Sequence, residues 1–215
     1  MGAGGVDLCV SAGECVAGLG ANGSGSTLLR LVTGATCRPR ARSGCTVTWW
    51  ARLCRTFRAA VASAGDDSAT YPDLTVREHL ELVATAHGRG ARVGTTVAAA
   101  LAEWELTGSA EALPSRLSAG QLQKLLLAAV FVRPRELLVL DEPEQRLDLR
   151  MRRRLAGLLR PETLDGVGVL VATHSRELAE QVADRVLVLE QGRVTHLDAA
   201  QAVLADLERE EAGRR

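Results

Sequence analysis

The sequence predicts an α/β fold with a mainly parallel sheet, and two observations support this. Segments with apolar, β-branched runs alternate with segments of helical periodicity along most of the 215 residues. The stretch from about 75 to 116 breaks the alternation, because it is helical and lacks a strong strand signal. We therefore expect a single domain, with a core lobe formed by residues 1–74 and 134–215 and an inserted helical lobe at about 75–133.

The individual elements follow from the same patterns. Strands are predicted at 6–10, 15–19, 46–50, 137–140, 167–172 and 185–189, where apolar and β-branched residues are concentrated. Helices are predicted at 27–32, 76–87, 97–106, 119–132, 149–159, 176–183 and 199–208, where the apolar spacing is helical.

Composition excludes several classes of protein. Lysine plus arginine and aspartate plus glutamate both number 26, so no basic excess indicates a nucleic acid partner. The longest apolar run, 125–132, is too short to cross a bilayer, and no signal peptide opens the chain. The five cysteines form no CxxC pair, which favours reduced structural thiols in a cytoplasmic protein.

A glycine-rich segment follows the predicted strand 15–19 and precedes a helical pattern. Strand, glycine-rich loop and helix together can direct backbone N–H groups and the positive helix end at phosphate oxygens. The candidate phosphate-binding residues are Gly20, Asn22, Gly23, Ser24, Gly25, Ser26 and Thr27. Glycine-rich turns between a strand and a helix are also common without a ligand, so this segment alone is not specific.

The loop lacks the lysine of the usual GxxxxGK[ST] pattern, and Lys124 is the only lysine in the sequence. Either Ser26 replaces the lysine and Thr27 supplies the hydroxyl for Mg²⁺, or the lysine is deleted and Ser26 holds Mg²⁺ with Thr27 beside it. Losing a charged hydrogen bond to phosphate removes about 1.5–3 kcal/mol of binding. Nucleotide binding could therefore survive while turnover falls.

A second candidate site lies at the end of the apolar run 137–140, which leads into Asp141 and Glu142. At the carboxyl end of a strand, Asp141 can hold the Mg²⁺ shell directly or through water. Glu142 would face the terminal phosphate, where a carboxylate can orient or deprotonate an attacking water. An ordinary strand that ends in a polar turn would have the same local pattern.

The preceding segment makes the assignment specific. The run LSAGQLQKLLLAAVFVRPRELLVLDEPEQRLD, residues 117–148, resembles the signature helix and Walker B strand of the ABC ATPase family, whose usual form is LSGGQ, a helix and a strand ending in DEP. Ala119 stands where that family usually has glycine. The motifs keep the family's order from 9 to about 197, which is more specific than any one of them.

The resemblance implies a P-loop NTPase of the ABC type that binds ATP and Mg²⁺ and works as a head-to-tail dimer. By resemblance, Ser118, Gly120 and Gln121 would complete the nucleotide site of a facing subunit. The dipeptide 147–148 matches the family's D-loop at the dimer interface, and His174 matches its switch histidine, which would contact the terminal phosphate. Glu142 and His174 are thus the expected catalytic residues, and Ser26, Thr27 and Asp141 the expected metal ligands.

Two features of the family are missing. No aromatic residue that could stack on adenine precedes Gly20, and no Q-loop glutamine follows the short strand expected near 59–64. Asp66 or Asp67 could hold the Mg²⁺ water instead. The segment 71–80 is similar to the family's entry into the helical lobe, which touches the transmembrane partner.

The first hypothesis for function is an ATP-binding subunit that couples ATP binding and hydrolysis to a separate transmembrane permease, at the inner face of the cell membrane. The second is a nucleotide-binding module with little or no hydrolysis, whose signature serves a competent partner subunit. The missing lysine, glutamine and aromatic residue favour the second. A soluble ABC protein of translation or repair usually has two ATPase domains or a long insertion, and this chain has neither.

Overall fold

The sheet of the protein is mainly parallel. The computed structural model describes residues 8–20, 29, 59–65, 68–190 and 193–213. The strands within these ranges are β1 Cys15–Gly20, β2 Val61–Ala64, β3 Leu137–Asp141, β4 Gly168–Thr173, β5 Arg185–Glu190 and β6 Arg193–Ala199. They lie in the order β2-β3-β4-β1-β5-β6, and only the β5–β6 pair in this described sheet is antiparallel. The predicted fold class is confirmed.

Helices cover the sheet and fill the segment between β2 and β3. They are α1 Val76–Ala86, α2 Val93–Glu103, α3 Ala119–Phe131, α4 Leu149–Leu164, α5 Arg176–Val182 and α6 Ala200–Gly213. Three of them, α1 to α3, lie in the stretch for which the sequence predicts a helical lobe. None of the helices in the described ranges is long and apolar enough to span a membrane.

The strand predictions are mostly confirmed, because β1, β3, β4 and β5 lie where apolar runs predict them. The predicted strand at 6–10 is wrong for its described part, since residues 8–10 pair with no strand. Leu8 and Val10 pack against the buried cluster on one face of the sheet, so their apolar character reflects burial without a ladder. The antiparallel strand β6 was not predicted, and the predicted strand at 46–50 lies outside the described residues.

Three helix predictions need correction at their ends. The helix predicted at 199–208 begins at Ala200 and continues to Gly213. The helix predicted at 97–106 begins earlier and ends at Glu103, because Glu105 has a φ of 55° and turns the chain while Leu106 stays fully buried. Helix α4 continues past Pro161 to Leu164. Its last turn is stabilised by an ion pair between Glu162 and Arg135. The Thr163 hydroxyl also donates to the carbonyl of Arg160.

Side chains that cap helix N-termini define four of the helix starts. Thr75 before α1 and Ser118 before α3 each form a capping box with the residue three positions later. Asp148 accepts from the third backbone N–H of α4, and Ser175 does the same for α5. Two of these caps, Ser118 and Asp148, therefore fix the directions of helices that begin beside the candidate site.

Alternating side chains of the strands form hydrophobic clusters on both faces of the sheet. In β3, Leu138 and Leu140 pack against α1 to α4, whereas Val139 packs on the opposite face with residues of β1 and β4. All six residues of β4 are buried, as expected for a central parallel strand. Because these strands are parallel, the carboxyl ends of β1, β3 and β4 meet at one edge of the sheet.

The partly buried carboxylate of Glu14 links the beginning of β1 to the beginning of β5. Glu14 accepts hydrogen bonds from the backbone N–H of Ser11, at 2.7 Å, and from Arg185, at 3.0 Å. Burial raises the pKa of Glu14, but these hydrogen bonds and the charge of Arg185 outweigh it, so that the net pKa is lowered from its ordinary value of 4.5. The ionised form of Glu14 therefore stabilises the fold.

Candidate functional site

The candidate site lies at the carboxyl edge of the three central strands. Gly20 ends β1, Asp141 ends β3 and Thr173 ends β4, with His174 directly after it. Asp141 is in register with Ala172 of β4, one residue before Thr173. Parallel register thus brings three of the predicted site segments to one edge, where open α/β sheets bind their ligands.

Glu142 and His174 are in direct contact at this edge. The imidazole Nε2 lies 2.6 Å from the carboxylate Oε1 of Glu142, so the two side chains are in direct polar contact. The His174 side chain is 42% exposed and that of Glu142 17% exposed. A ligand at the sheet edge could therefore reach the histidine while the carboxylate is largely shielded from water.

The backbone holds Glu142 in an unusual conformation. Its φ is 48°, in the left-handed region that non-glycine residues rarely adopt. The N–H of Glu142 donates to the carbonyl of Ala172 at 2.9 Å, and its carbonyl accepts from the N–H of Gln145 at 3.1 Å. These bonds hold the strained residue, which turns its carboxylate towards the end of β4.

The environment of Glu142 shifts the pKa of its carboxyl group upward. Burial and the nearby carboxylate of Glu144 raise the pKa of Glu142, while His174 opposes the shift only partly. A carboxylate with a raised pKa is a stronger proton acceptor than a solvated one. The geometry thus fits the role that the sequence predicts for Glu142, the orientation or deprotonation of water.

Asp141 lies against the end of β2. A Cβ built on Gly65 would lie 2.9 Å from the Cβ of Asp141, so only glycine allows this approach. The segment that contains Asp66 and Asp67, predicted as substitutes for the Q-loop glutamine, follows directly and lies outside the described residues. Asp141 itself is where the sequence places it, at the end of the Walker B strand.

The donor set at the edge fits a magnesium ion held partly by a nucleotide. Among the described residues, no group of three or more histidine, cysteine, aspartate or glutamate side chains could form a complete metal site. Mg²⁺ in phosphate-transfer sites commonly uses only one or two carboxylates and takes its other ligands from water and substrate phosphates. Asp141 meets that requirement as a single carboxylate ligand.

The phosphate loop is described only at its two ends. Asn22, Gly23, Ser24, Gly25, Ser26 and Thr27 lie outside the described residues, and their binding roles stay predictions. Gly20 ends β1, and Leu29 is helical and 3% exposed within a cluster that contains Val16 and Leu170. Gly20 and Leu29 thus lie in a strand and a helix, as the sequence predicts for these two positions.

The signature residues form the first turn of α3. The Ser118 hydroxyl accepts from the Gln121 N–H at 3.2 Å, and the Gln121 side-chain oxygen accepts from the Ser118 N–H at 2.9 Å. The Gln121 amide nitrogen donates to Ser109 at 2.9 Å. Both side chains therefore cap the helix within their own chain, and their predicted role in a facing subunit's site stays a prediction.

Gly120 connects this helix end to the loop after β3. A Cβ at Gly120 would meet the carbonyl oxygen of Arg146 at 2.8 Å, and Arg146 has a φ of 62°. One turn further along α3, the side-chain amide of Gln123 donates to the carbonyl of Pro143 at 3.2 Å. The signature helix is thus packed against the loop that carries Glu142.

Sequence reasoning missed two buried residues beside Glu142 and His174. Glu144 is 5% exposed and Thr173 is 2% exposed, and the Thr173 hydroxyl donates to the Glu144 carboxylate. Glu144 lies within the run quoted for the family resemblance, but a charged residue after a strand is ordinarily expected at the surface. No signal in the sequence indicates its burial.

The fold and the site together define an α/β protein of the P-loop NTPase class. The chain matches the family model described as "ABC transporter" over residues 3–145. A solved ATP-binding subunit of an ABC transporter superposes with a TM-score of 0.83 at 28% identity, covering 94% of this chain and 85% of that chain. A dimeric bacterial ABC transporter cassette, with a TM-score of 0.78 at 23% identity, supports the fold alone.

Curated relatives agree with the family match. The aliphatic sulfonates import ATP-binding protein SsuB 2 of Rhodococcus jostii is 38% identical over 198 residues, which cover 88% of this chain and 72% of that protein. The SkfA peptide export ATP-binding protein SkfE of Bacillus subtilis is 32% identical over 191 residues, 88% of this chain and 79% of that protein. This chain belongs to the ABC transporter family.

The relatives also include longer proteins. The Nod factor export ATP-binding protein I of Burkholderia lata is 36% identical over 195 residues, which cover 88% of this chain. The chain spans 63% of that protein's length. The names of the three relatives include both import and export, so the family membership leaves the transported compound and the direction of transport open.

Proposed function

We propose that this chain is the nucleotide-binding subunit of an ABC transporter, which binds ATP with Mg²⁺, pairs with a second ATPase subunit and drives a separate membrane permease from the cytoplasmic face. The observation that carries this proposal is the 2.6 Å contact between His174 and Glu142 beside Asp141, at the edge where β1 leads into the glycine-rich loop. The names of the relatives, all ATP-binding proteins of transporters, support it.

The chain's own residues would divide the work at this edge. Asp141 would contribute a carboxylate to the ion, whose charge stabilises the phosphates when it is bound. Glu142 would orient the attacking water and accept its proton, helped by a raised pKa. His174 would hold the Glu142 carboxylate by the 2.6 Å contact and reach the terminal phosphate from its exposed side.

The proposal is tested by the hydrolysis of ATP with the Glu142→Gln variant. We expect Mg²⁺-dependent phosphate release by the wild-type protein, measured alone and with its permease, and loss of that release in the variant. ATP affinity, measured by calorimetry, should persist in Glu142→Gln because the amide keeps the size of the side chain. The matched control is Glu180→Gln, which makes the same change at an exposed position of α5.

A second candidate function is nucleotide binding with little or no hydrolysis. The missing loop lysine favours it, because that side chain normally reaches the terminal phosphates, where a charged hydrogen bond strengthens in the transition state. Ser26→Lys, or a lysine inserted before Ser26, should then raise phosphate release while the wild type binds ATP without turnover. A wild-type rate equal to the buffer blank would remove the hydrolysing form of the proposal, and absence of binding at millimolar ATP would remove both.

A further inference from the structure

Glu144 is a buried carboxyl group for which the proposed chemistry has no direct use. Its side chain is enclosed between the loop after β3 and the end of β4, and it is 5% exposed. One oxygen, Oε1, accepts a hydrogen bond from Thr173, whereas Oε2 is buried without a hydrogen-bond partner among the described residues. An acidic side chain in such a position costs several kcal/mol unless its interactions compensate.

The interactions of Thr173 show what the carboxyl group can do. The Thr173 hydroxyl donates its proton to Glu144 and accepts the N–H of Ser175 at 2.9 Å. The hydroxyl thus joins Thr173 to Ser175, the two residues that flank His174 in sequence. Hydrogen bonds in a buried series strengthen one another, so the backbone around His174 is held more firmly than by either bond alone.

The same loop also holds Glu142. The N–H of Glu142 donates to the carbonyl of Ala172, which precedes Thr173, and the N–H of Leu147 donates to the carbonyl of Glu144 at 3.3 Å. The side chain of Glu144 thus connects the loop after β3 to the end of β4. Glu144 is two residues from Glu142, and its partner Thr173 is one residue from His174.

We propose that Glu144 is a positioning residue, which acts through Thr173 to hold the His174 imidazole against Glu142. Among the described residues, the Glu144 side chain hydrogen-bonds to Thr173 and not to the His174 imidazole. What it supplies is a hydrogen-bond acceptor for the Thr173 hydroxyl at a site that excludes water. An amide oxygen can supply the same acceptor, and an apolar side chain of the same length cannot, which makes glutamine and methionine the informative replacements.

The test observes the His174 ring directly, in the full chain without nucleotide. In protein labelled with ¹⁵N-histidine, the ring signal of His174 is assigned by its loss in His174→Asn. Glu142→Ala provides the reference position of the imidazole without its acceptor. We expect Glu144→Met to shift the His174 signal towards that reference, and Glu144→Gln to keep it at the wild-type position.

A second variant and internal controls separate positioning from a merely structural role. Thr173→Val removes only the hydroxyl at nearly constant volume, and it should shift the His174 signal in the same direction as Glu144→Met. The ring signals of His79 in α1 and His196 in β6 should remain unchanged in both variants. If Glu144→Met does not fold, Thr173→Val decides.

Three results would overturn the proposal. The first is a wild-type His174 signal in folded Thr173→Val, the second is an equal shift in Glu144→Gln and Glu144→Met, and the third is a common shift of all histidine signals.

The consequence for turnover rests on the proposed function: kcat should fall on the order of tenfold in Glu144→Met, with KM nearly constant, because the pair is misplaced rather than removed. Failure of the wild-type protein to bind ATP would refute the proposed function and leave the ring measurement valid.

Discussion

Replacing Gly120 by alanine should destabilise the protein, although alanine is the better helix former. Gly120 is the second residue of α3, and an added Cβ would lie 2.8 Å from the carbonyl oxygen of Arg146. That oxygen belongs to backbone and cannot rotate away, so the helix start or the loop must shift. The approach of these two segments therefore determines the sign of the effect.

The magnitude follows from two opposing contributions. Overpacking of this kind costs about 1–3 kcal/mol. Replacing glycine by alanine in a helix returns up to about 1 kcal/mol. The net loss should be on the order of 1–2 kcal/mol in the free energy of unfolding, which corresponds to a Tm lower by about 2–8 °C for a chain of this size.

The matched control is Gly94→Ala. Gly94 is also the second residue of its helix, α2, but no atom lies within 4 Å of an added Cβ. This variant should gain a few tenths of a kcal/mol or up to about 1 kcal/mol, from helix propensity alone. Thermal and urea unfolding followed by circular dichroism, without nucleotide, would measure both variants. A Gly120→Ala protein as stable as the wild type, or equal effects at the two positions, would refute the role of the Arg146 contact.

Two further predictions concern stability. Arg146→Gly should raise the free energy of unfolding by about 0.5–1 kcal/mol, because the exposed Arg146 has a φ of 62°. The control Arg153→Gly, within α4, should lower that free energy by about 1 kcal/mol. A change of the same sign in both variants, measured by urea unfolding, would contradict this. Glu14→Gln should cost stability at pH 7 but little in acid. Since the folded-state pKa of Glu14 is lowered, its contribution is complete above its ordinary value of 4.5 and disappears as the pH falls through the folded-state pKa. A stability difference between wild type and Glu14→Gln that stays constant as the pH falls below 4.5 would refute it.

The sequence predicts the core strands well because burial and strand structure coincide in them. Every residue of β4 is buried, and a continuous apolar run is what a central parallel strand requires. Leu8 and Val10 show the limit of the pattern, since they are apolar and packed but lie in no strand. Periodicity reports which residues are buried, and only the pairing partners decide whether a ladder forms.

The sequence likewise predicts some residues of the candidate site and not others. Asp141, Glu142 and His174 are predicted because strand ends and motif spacing place them at one edge. Spacing predicts neither the left-handed backbone of Glu142 nor its 2.6 Å contact with His174. Glu144 could not be predicted at all. Its burial depends on a contact with Thr173, which is 29 positions further along the chain. The local sequence around Glu144 does not reveal such a long-range contact.

The missing loop lysine and the contact between Glu142 and His174 lie in different parts of the sequence. The contact between Glu142 and His174 is set by the register of β3 and β4 and by hydrogen bonds of the two loops that follow them. These interactions join described residues, and Ser26 lies outside the described ranges. We expect a change at Ser26 to alter phosphate binding while these interactions keep Glu142 and His174 in contact. This is why restoring a lysine at Ser26 is an informative experiment: it should raise phosphate release only if the pair is already positioned for it.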